Sequence, residues 1–192
     1  MLNAASETRL RAVQAAREVL SANPLYLDTE TTGLERNDEI IEISIVDDLG
    51  NVVYESLVKP RKTIPFDATR VHGITNAEVQ GARTWPIIWT EIREVLRGKL
   101  IVMYNDEFDL RMMQQSYTLY NLPWKDKLTT FDLLKLYAQF RGIWDPKRRG
   151  YRYHSLANAG MHCGIDLPNA HRATADTLLT RALLHYIADY NG

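Results

Sequence analysis

Residues 25–34 read LYLDTETTGL, and this stretch predicts a strand that ends in a pair of acidic side chains. The apolar run LYL indicates a buried strand, and Asp28 and Glu30 follow it two residues apart. Side chains at positions i and i+2 of a strand leave the same face, so both carboxylates are expected to point the same way. Residues 31–33 then turn the chain away, and Gly33 can adopt the positive φ that such turns often need.

Two carboxylates on one face of a strand repel each other, and burying them without a partner is costly. A divalent cation removes both costs, because hard cations bind carboxylate oxygens. The alternative is a solvated strand end that carries two ordinary surface acids. This stretch taken alone leaves both interpretations open.

The composition is that of a soluble globular protein. The chain has 192 residues, of which 45% are hydrophobic and 24% are charged, and this predicts one domain with a sizeable core. The net charge of −1 gives no global basic field for nucleic acid, although it allows a local basic patch. The single cysteine, Cys163, excludes an intrachain disulfide framework. The sequence has no apolar run of membrane-spanning length and no signal-peptide core, so we expect a cytoplasmic protein without membrane contact.

Hydrophobic patterning predicts an α/β fold with a central mixed sheet of five strands. After the first strand, residues 40–46 and 52–58 are predicted to form an antiparallel meander, because only a short turn separates them. Residues 100–104 predict a strand buried on both faces, and residues 128–131 a fifth strand. The predicted helices span residues 6–22, 66–71, 76–80, 85–97, 106–121, 132–140, 155–163 and 174–190. Residues 142–153 are expected to form a loop.

Two further acidic stretches accompany the first one. Residues 105–109 read NDEFD and follow the buried fourth strand; sites in open α/β sheets collect at such strand ends. Residues 171–176 read HRATAD and open the last helix, which places His171 just before the helix that carries Asp176. In isolation, each stretch is better explained by favourable first-turn acids or by a histidine at a helix start.

Taken together, the three stretches resemble the DEDDh 3′→5′ exonucleases, the family of polymerase proofreading subunits, ribonuclease T and oligoribonuclease. The resemblance runs from about residue 24 to residue 188, and all three motifs occur in the family's order. Supporting matches are IIEI at 40–43, VHGIT at 71–75 and HSL at 154–156. The sequence departs from the family at Tyr104, where a histidine is frequent, and residues 159–163 follow the usual pattern loosely.

The resemblance implies a ribonuclease-H-like exonuclease domain over residues 24–192, preceded by an N-terminal helical extension over residues 1–23. It implies four metal-binding carboxylates and a histidine that acts as general base, namely Asp28, Glu30, Asp109, Asp176 and His171. The implied cofactors are two Mg²⁺ or Mn²⁺ ions, since two metals about 4 Å apart can stabilise both oxygens of an in-line displacement. The scarcity of cysteine and of clustered histidine argues against zinc.

The implied activity is metal-dependent 3′→5′ exonucleolysis of mainly single-stranded nucleic acid, with release of nucleoside 5′-monophosphates. DNA is the first expectation, as in repair or proofreading, and RNA remains open. A polymerase partner or a homodimer is compatible with the family. The rival functions are a catalytically idle nucleic-acid-binding module and an RNA-specific exoribonuclease.

Candidate substrate contacts fall into two sets. The first set lies in or near the motifs and comprises Thr31, Gly33, Leu34, His72, Asn105 and Phe108. For His72, a structural role between two short helices is the favoured interpretation. The second set is the basic part of the predicted loop, with Lys147, Arg148, Arg149 and Arg152 to meet phosphates beside the aromatic residues Trp144, Tyr151 and Tyr153. A solvated basic turn next to packed aromatics explains this second set equally well.

Overall fold

The computed structural model describes residues 4–165 and 171–191, so the first three residues of the predicted extension lie outside it. The helices are α1 (Ala4–Ser21), α2 (Phe66–His72), α3 (Asn76–Val79), α4 (Trp85–Leu96), α5 (Asp106–Thr118), α6 (Leu133–Arg141), α7 (Leu156–His162) and α8 (Ala173–Ala188). The strands are β1 (Leu25–Thr31), β2 (Ile40–Val46), β3 (Val52–Leu57), β4 (Leu100–Met103), β5 (Thr129–Asp132), β6 (Trp144–Asp145) and β7 (Gly150–Tyr151). Within these described ranges, every helix is too short or too polar to cross a bilayer.

Strands β1 to β5 form one mixed sheet in the order β3-β2-β1-β4-β5. The pairs β1–β2 and β2–β3 are antiparallel, as the short connections between them require, whereas β4 is parallel to both β1 and β5. The carboxyl ends of β1, β4 and β5 therefore meet at one edge of the sheet, and the first two acidic stretches lie there. The predicted mixed sheet of five strands and its antiparallel meander are confirmed.

Helices cover both faces of the sheet. Neighbouring side chains on a strand point to opposite faces, so Tyr26 of β1 packs with α1, α6, α7 and α8, whereas Leu27 packs with α4 and α5. Asp28 and Glu30 share the alternation of Tyr26. Both acids therefore face the side of the sheet on which α8 lies.

Helix α1 closes the face that α8 occupies. Its residues Ala12, Val13 and Ala16 are almost completely buried in the apolar cluster of that face. The guanidinium Nε of Arg9 donates to the backbone carbonyl of Phe140 at 2.9 Å, at the end of α6. The apolar residues of α1 thus complete the core, and its arginine ties the helix to a neighbouring one.

Residues 142–153 are not a simple loop, which corrects the sequence prediction. Strands β6 and β7 pair antiparallel and form a short hairpin. Asp145 Oδ1 accepts the backbone N–H of Lys147 at 3.0 Å, and Arg149 turns the chain with φ +53°. The turn lacks the Asn-Gly or Asp-Gly pair that usually marks a hairpin. Sequence patterning therefore gave no signal for it.

Candidate active site

Strand β1 ends in a tight turn that begins at Thr31, whose hydroxyl donates to the backbone carbonyl of Gly33 at 2.8 Å. Gly33 does not use the positive φ that glycine permits in such a turn. A Cβ at this position would instead lie 2.5 Å from Oδ2 of Asp38. Asp38 also accepts the hydroxyl of Thr32 at 2.9 Å. Glycine is needed here because a side chain packs against its α-carbon.

Asp28, Glu30 and Asp176 form one group of carboxylates. Each offers one oxygen, and these three oxygens all lie within 4.8 Å of one another. The first two side chains come from β1 and the third from the first turn of α8. Oxygen ligands lie about 2.1 Å from Mg²⁺, so two ligands of one ion are separated by at most about 4.2 Å. The arrangement matches the ligand set of one divalent cation with little adjustment.

Asp109 approaches the same stretch of β1 from the other face of the sheet. It lies in the first turn of α5, is only 3% exposed, and its Oδ1 accepts the hydroxyl of Thr29 at 2.7 Å. Thr29 stands between Asp28 and Glu30, so this bond ties α5 to the acidic end of β1. The fourth predicted carboxylate therefore lies beside the other three without joining their group of oxygens.

The electrostatics of these acids follow from burial and mutual repulsion. Burial and the neighbouring carboxylates hold the pKa of Asp28 well above its usual range. Burial and the charge of Asp176 raise the pKa of Glu30 to about 8, and burial raises the pKa of Asp109 to about 7. Burial and neighbouring negative charges both favour the protonated form of a carboxyl group. An all-carboxylate donor set in this state fits a hard divalent cation such as Mg²⁺ or Mn²⁺.

His171 lies next to the carboxylate group with an exposed side chain. Its backbone N–H donates to Oδ2 of Asp176 at 3.2 Å, and it adopts φ +70°. Non-glycine residues rarely occupy this left-handed region. The bond to Asp176 fixes the position of the backbone that carries the imidazole, at the edge of the acidic group.

A cavity of about 450 Å³ opens beside Glu30. Five of the six predicted substrate contacts near the motifs line it, namely Thr31, Gly33, Leu34, His72 and Phe108. Arg111 supports its outer wall, because its guanidinium lies 5.2 Å from the ring centre of Phe108 and donates to the carbonyl of Leu34 at 3.3 Å. The cavity is lined by a mixture of apolar and polar side chains, and it borders the carboxylate group at Glu30.

His72 has the structural position that the sequence favoured, and it also lines the cavity. Its Nδ1 accepts the backbone N–H of Ile74 at 3.0 Å, so the ring proton of the neutral imidazole is on Nε2. Burial lowers the pKa of His72 and favours this neutral form. The side chain is 5% exposed and also lines the cavity. It therefore braces the turn after α2 and forms part of the pocket wall.

The remaining predicted contacts lie elsewhere. Asn105 precedes α5 with φ +76°, and its backbone N–H donates to Asp132 at 3.3 Å. Lys147, Arg148 and Arg149 lie in the turn of the β6–β7 hairpin, with the guanidinium of Arg148 3.9 Å from the ring centre of Tyr153. Arg152 follows the hairpin and donates its N–H to Ile143 at 2.7 Å. None of these four cations lines the cavity beside Glu30.

Sequence reasoning missed the partner of Glu42. This glutamate lies in the middle of the buried strand β2, is 2% exposed, and pairs with Arg172 at the start of α8. The signal was the single charged residue of the predicted buried strand IIEISIV, since a fully buried carboxylate needs a partner. Its identity was hidden because the two residues are 130 positions apart.

Comparisons with known proteins agree with this geometry. A family model described as an exonuclease matches residues 25–184. The uncharacterized exonuclease CP81 of Escherichia phage 186 is 37% identical over 183 residues, which cover 91% of this chain and 93% of that protein. A DNA polymerase III subunit epsilon-like protein of Rhodobacter capsulatus is 31% identical over 165 residues, which cover 81% of this chain and 22% of that protein.

Solved structures give the same fold. Exonuclease X in complex with 5′ overhanging duplex DNA is 27% identical with a TM-score of 0.62, over 85% of this chain and 89% of that chain. An E. coli ExoI–ssDNA complex has a TM-score of 0.66 at 22% identity, over 85% of this chain and 39% of that chain. The second likeness bears on the fold alone. The expected ribonuclease-H-like architecture is confirmed.

Proposed function

Because this chain belongs to the exonuclease family, we propose that it removes nucleotides from the 3′ end of single-stranded nucleic acid and releases nucleoside 5′-monophosphates. The observation that carries the proposal is the group of three carboxylates, Asp28, Glu30 and Asp176, which borders the cavity. A cavity that holds the terminal nucleotide places the adjoining phosphodiester bond next to these acids. The family implies divalent metal ions, and the donor set fits Mg²⁺ or Mn²⁺.

We propose two ions for this site. Asp28, Glu30 and Asp176 would hold the first ion. Asp109, whose charge acts more strongly on Asp28 than that of any other neighbour, would join Asp28 in holding the second. When bound, the ions supply positive charge that acidifies the attacking water and offsets the charge that builds up on the phosphoryl group.

His171 takes the proton from the attacking water in this proposal. The water oxygen forms a bond to phosphorus, the bond between phosphorus and the 3′-oxygen of the preceding nucleotide breaks, and solvent supplies a proton to the leaving oxygen. Carboxylates engaged with metal are weak bases, whereas an imidazole readily accepts a proton near neutral pH. The exposed side chain of His171, whose backbone N–H is bound to the carboxylate of Asp176, supports this assignment.

The substrate is proposed to be DNA, with RNA as the alternative. Support comes from one solved neighbour, exonuclease X in complex with 5′ overhanging duplex DNA. Several relatives are DNA polymerase III proteins, which supports a polymerase partner; a homodimer is a second possibility for the assembly. The cytoplasm is the proposed location.

The test uses DNA and RNA oligomers of one sequence, each labelled at the 5′ end, with Mg²⁺, Mn²⁺ or a chelator. We expect the DNA to shorten one nucleotide at a time in either metal and to stay intact with the chelator. Asp28→Ala should remove the activity while the far-UV and near-UV circular dichroism stay unchanged. Immediate internal fragments would indicate an endonuclease, and degradation of RNA alone would indicate an exoribonuclease. Binding of the oligomers without cleavage would indicate a catalytically idle nucleic-acid-binding module.

A further inference from the structure

We propose that Arg172 and Glu42 form a positioning pair for the metal site, although neither binds the metal. The pair fixes the start of α8 against β2, so that Asp176 and His171 stay in place beside Asp28 and Glu30. It also keeps the carboxylate of Glu42 engaged and away from the ion. This inference rests on the proposed function, because it assumes that the acidic group binds a divalent cation.

The contacts of Glu42 occupy both of its oxygens. Oε1 accepts Nη2 of Arg172 at 2.5 Å and Nε at 3.1 Å, and Oε2 accepts Nε at 3.2 Å. Oε2 also accepts the backbone N–H of Ala173, the first residue of α8, at 2.9 Å. The carboxylate thus caps the helix and clamps the guanidinium at the same time. Planar, two-point contacts of this kind fix direction as well as distance.

The first turn of α8 has a second attachment to the same strand. The hydroxyl of Thr174 donates to the hydroxyl of Ser44 on β2 at 2.9 Å. Asp176 is four residues after Arg172, so both lie on one side of the helix. A helix fixed at Arg172 and Thr174 leaves little freedom for the carboxylate of Asp176. A displacement of about 1 Å in such a group can lower a rate by about 10²-fold.

Glu42 would otherwise disturb the site that it supports. In the antiparallel pairing of β1 and β2, Glu42 lies directly opposite Glu30. Paired residues on adjacent strands project from the same face about 5 Å apart. Without Arg172, a further carboxylate would stand free beside the proposed ligands. With Arg172 in place, its charge is compensated and its oxygens are occupied.

A purely structural role is the competing explanation, and energetics argue against it. Arg172 is 43% exposed, and an ion pair with a solvent-exposed partner usually contributes little to stability, because water already solvates the exposed charge. This pair stands between the strand that carries Glu30 and the helix that carries Asp176. Its location therefore accounts for the choice of charged residues better than stability does.

The test measures Mn²⁺ affinity by calorimetry, independently of catalysis, and kcat and KM with a 5′-labelled oligomer. For Arg172→Gln we expect Mn²⁺ affinity and kcat to fall by about 10- to 100-fold, the usual effect of losing a group that orients metal ligands. KM should change little, because the cavity lining is untouched. Arg172→Lys keeps the charge but loses the two-point contact, so it should recover only part of the loss. Glu42→Gln should also weaken Mn²⁺ binding.

Arg181→Gln is the matched control. Arg181 is another arginine of α8, and its Nε donates to the backbone carbonyl of Asp48 at 2.7 Å, at the end of the sheet opposite the acids. This variant should lose some thermal stability and keep its Mn²⁺ affinity and kcat. If Arg172→Gln behaves like this control, the positioning role is overturned.

Other outcomes remain decisive. If Arg172→Gln does not fold, Arg172→Lys decides, since wild-type Mn²⁺ affinity and kcat in that variant would contradict the proposal. If the wild type binds Mn²⁺ and the Arg172 variants bind it more weakly, but no protein degrades nucleic acid, the positioning role stands and the proposed nuclease function fails. If the wild type binds no Mn²⁺ at all, both are wrong.

Discussion

At the scale of single residues, His171 is the most specific test of the proposed chemistry. His171→Ala should lower kcat by about 10²- to 10⁴-fold, the usual contribution of a general base. Its imidazole is not proposed as a ligand, so Mn²⁺ affinity should stay near that of the wild type. Single-turnover kinetics and calorimetric Mn²⁺ titration measure the two quantities separately.

His162→Ala serves as the matched control for this prediction. His162 is an exposed histidine at the end of α7, and its Nδ1 lies 3.2 Å from the hydroxyl of Tyr137. Its loss should leave kcat unchanged. A large fall in Mn²⁺ affinity for His171→Ala would identify His171 as a ligand and remove it from the role of base.

At the scale of secondary structure, the β6–β7 hairpin tests the second set of substrate contacts. Replacing Lys147, Arg148 and Arg149 with glutamine should weaken binding of single-stranded DNA. The slope of log affinity against log salt should decrease by about 0.7 for each phosphate contact that is lost. Fluorescence anisotropy at several salt concentrations measures this slope.

Three cations at the end of the sheet opposite the acids provide the control for the hairpin. Arg93, Arg97 and Lys99 lie at the end of α4 and just before β4, far from the carboxyl ends of β1 and β4. Neutralising them changes the net charge by the same amount and should leave the salt slope unaffected. If the salt slopes of the two triple variants are equal, the hairpin is ordinary basic surface and does not contact phosphates.

Helix α1 lies before the part of the chain that the family model matches, yet its inner face lies in the core. We propose that it is an extension on which the stability of the exonuclease domain depends. Val13→Ala should lower the free energy of unfolding by about 2 kcal/mol, since the lost methyl groups are buried. Gln14→Ala, at an exposed position of the same helix, should have almost no effect. Equal denaturation midpoints for the two variants would show that the stability of the domain does not depend on α1.

At the scale of the whole molecule, the raised carboxyl pKa values link stability to pH and to metal. The pKa of Glu30 is about 8 and that of Asp109 about 7, both above the ordinary values near 4. The folded protein therefore holds protons that the unfolded chain releases. These groups favour folding fully below about pH 4, and that contribution is lost as pH rises toward about 8.

Divalent metal should reverse this loss, because it binds the ionised carboxylates of the folded state. We expect saturating Mn²⁺ to raise Tm more at about pH 8 than at about pH 5, since the free acids repel one another more strongly at the higher pH. Differential scanning calorimetry with Mn²⁺ and with a chelator measures the difference. In the Glu30→Gln variant, the Tm gain from Mn²⁺ should depend less on pH. A Tm gain that is the same at every pH would contradict the proposed link between metal binding and the ionisation of these carboxyl groups.

The sequence by itself determined the main strands and the order of strands and helices along the chain. The run IIEISIV is rich in β-branched residues, and strand 100–104 is apolar; such runs specify buried strands from local chemistry alone. It also determined that Asp28 and Glu30 share a face, because alternation along a strand is a local rule. The acidic motifs were found through their order and spacing, which are properties of the chain.

The tertiary structure alone decided which distant groups meet. The pairing of Glu42 with Arg172, the bond between Thr29 and Asp109, and the contact of Asp38 with Gly33 depend on strand register and helix packing. The cavity beside Glu30 depends in the same way on how α2 and α5 approach β1. Local propensity acts over a few residues, whereas these contacts are fixed by the burial of apolar faces that lie far apart in the chain.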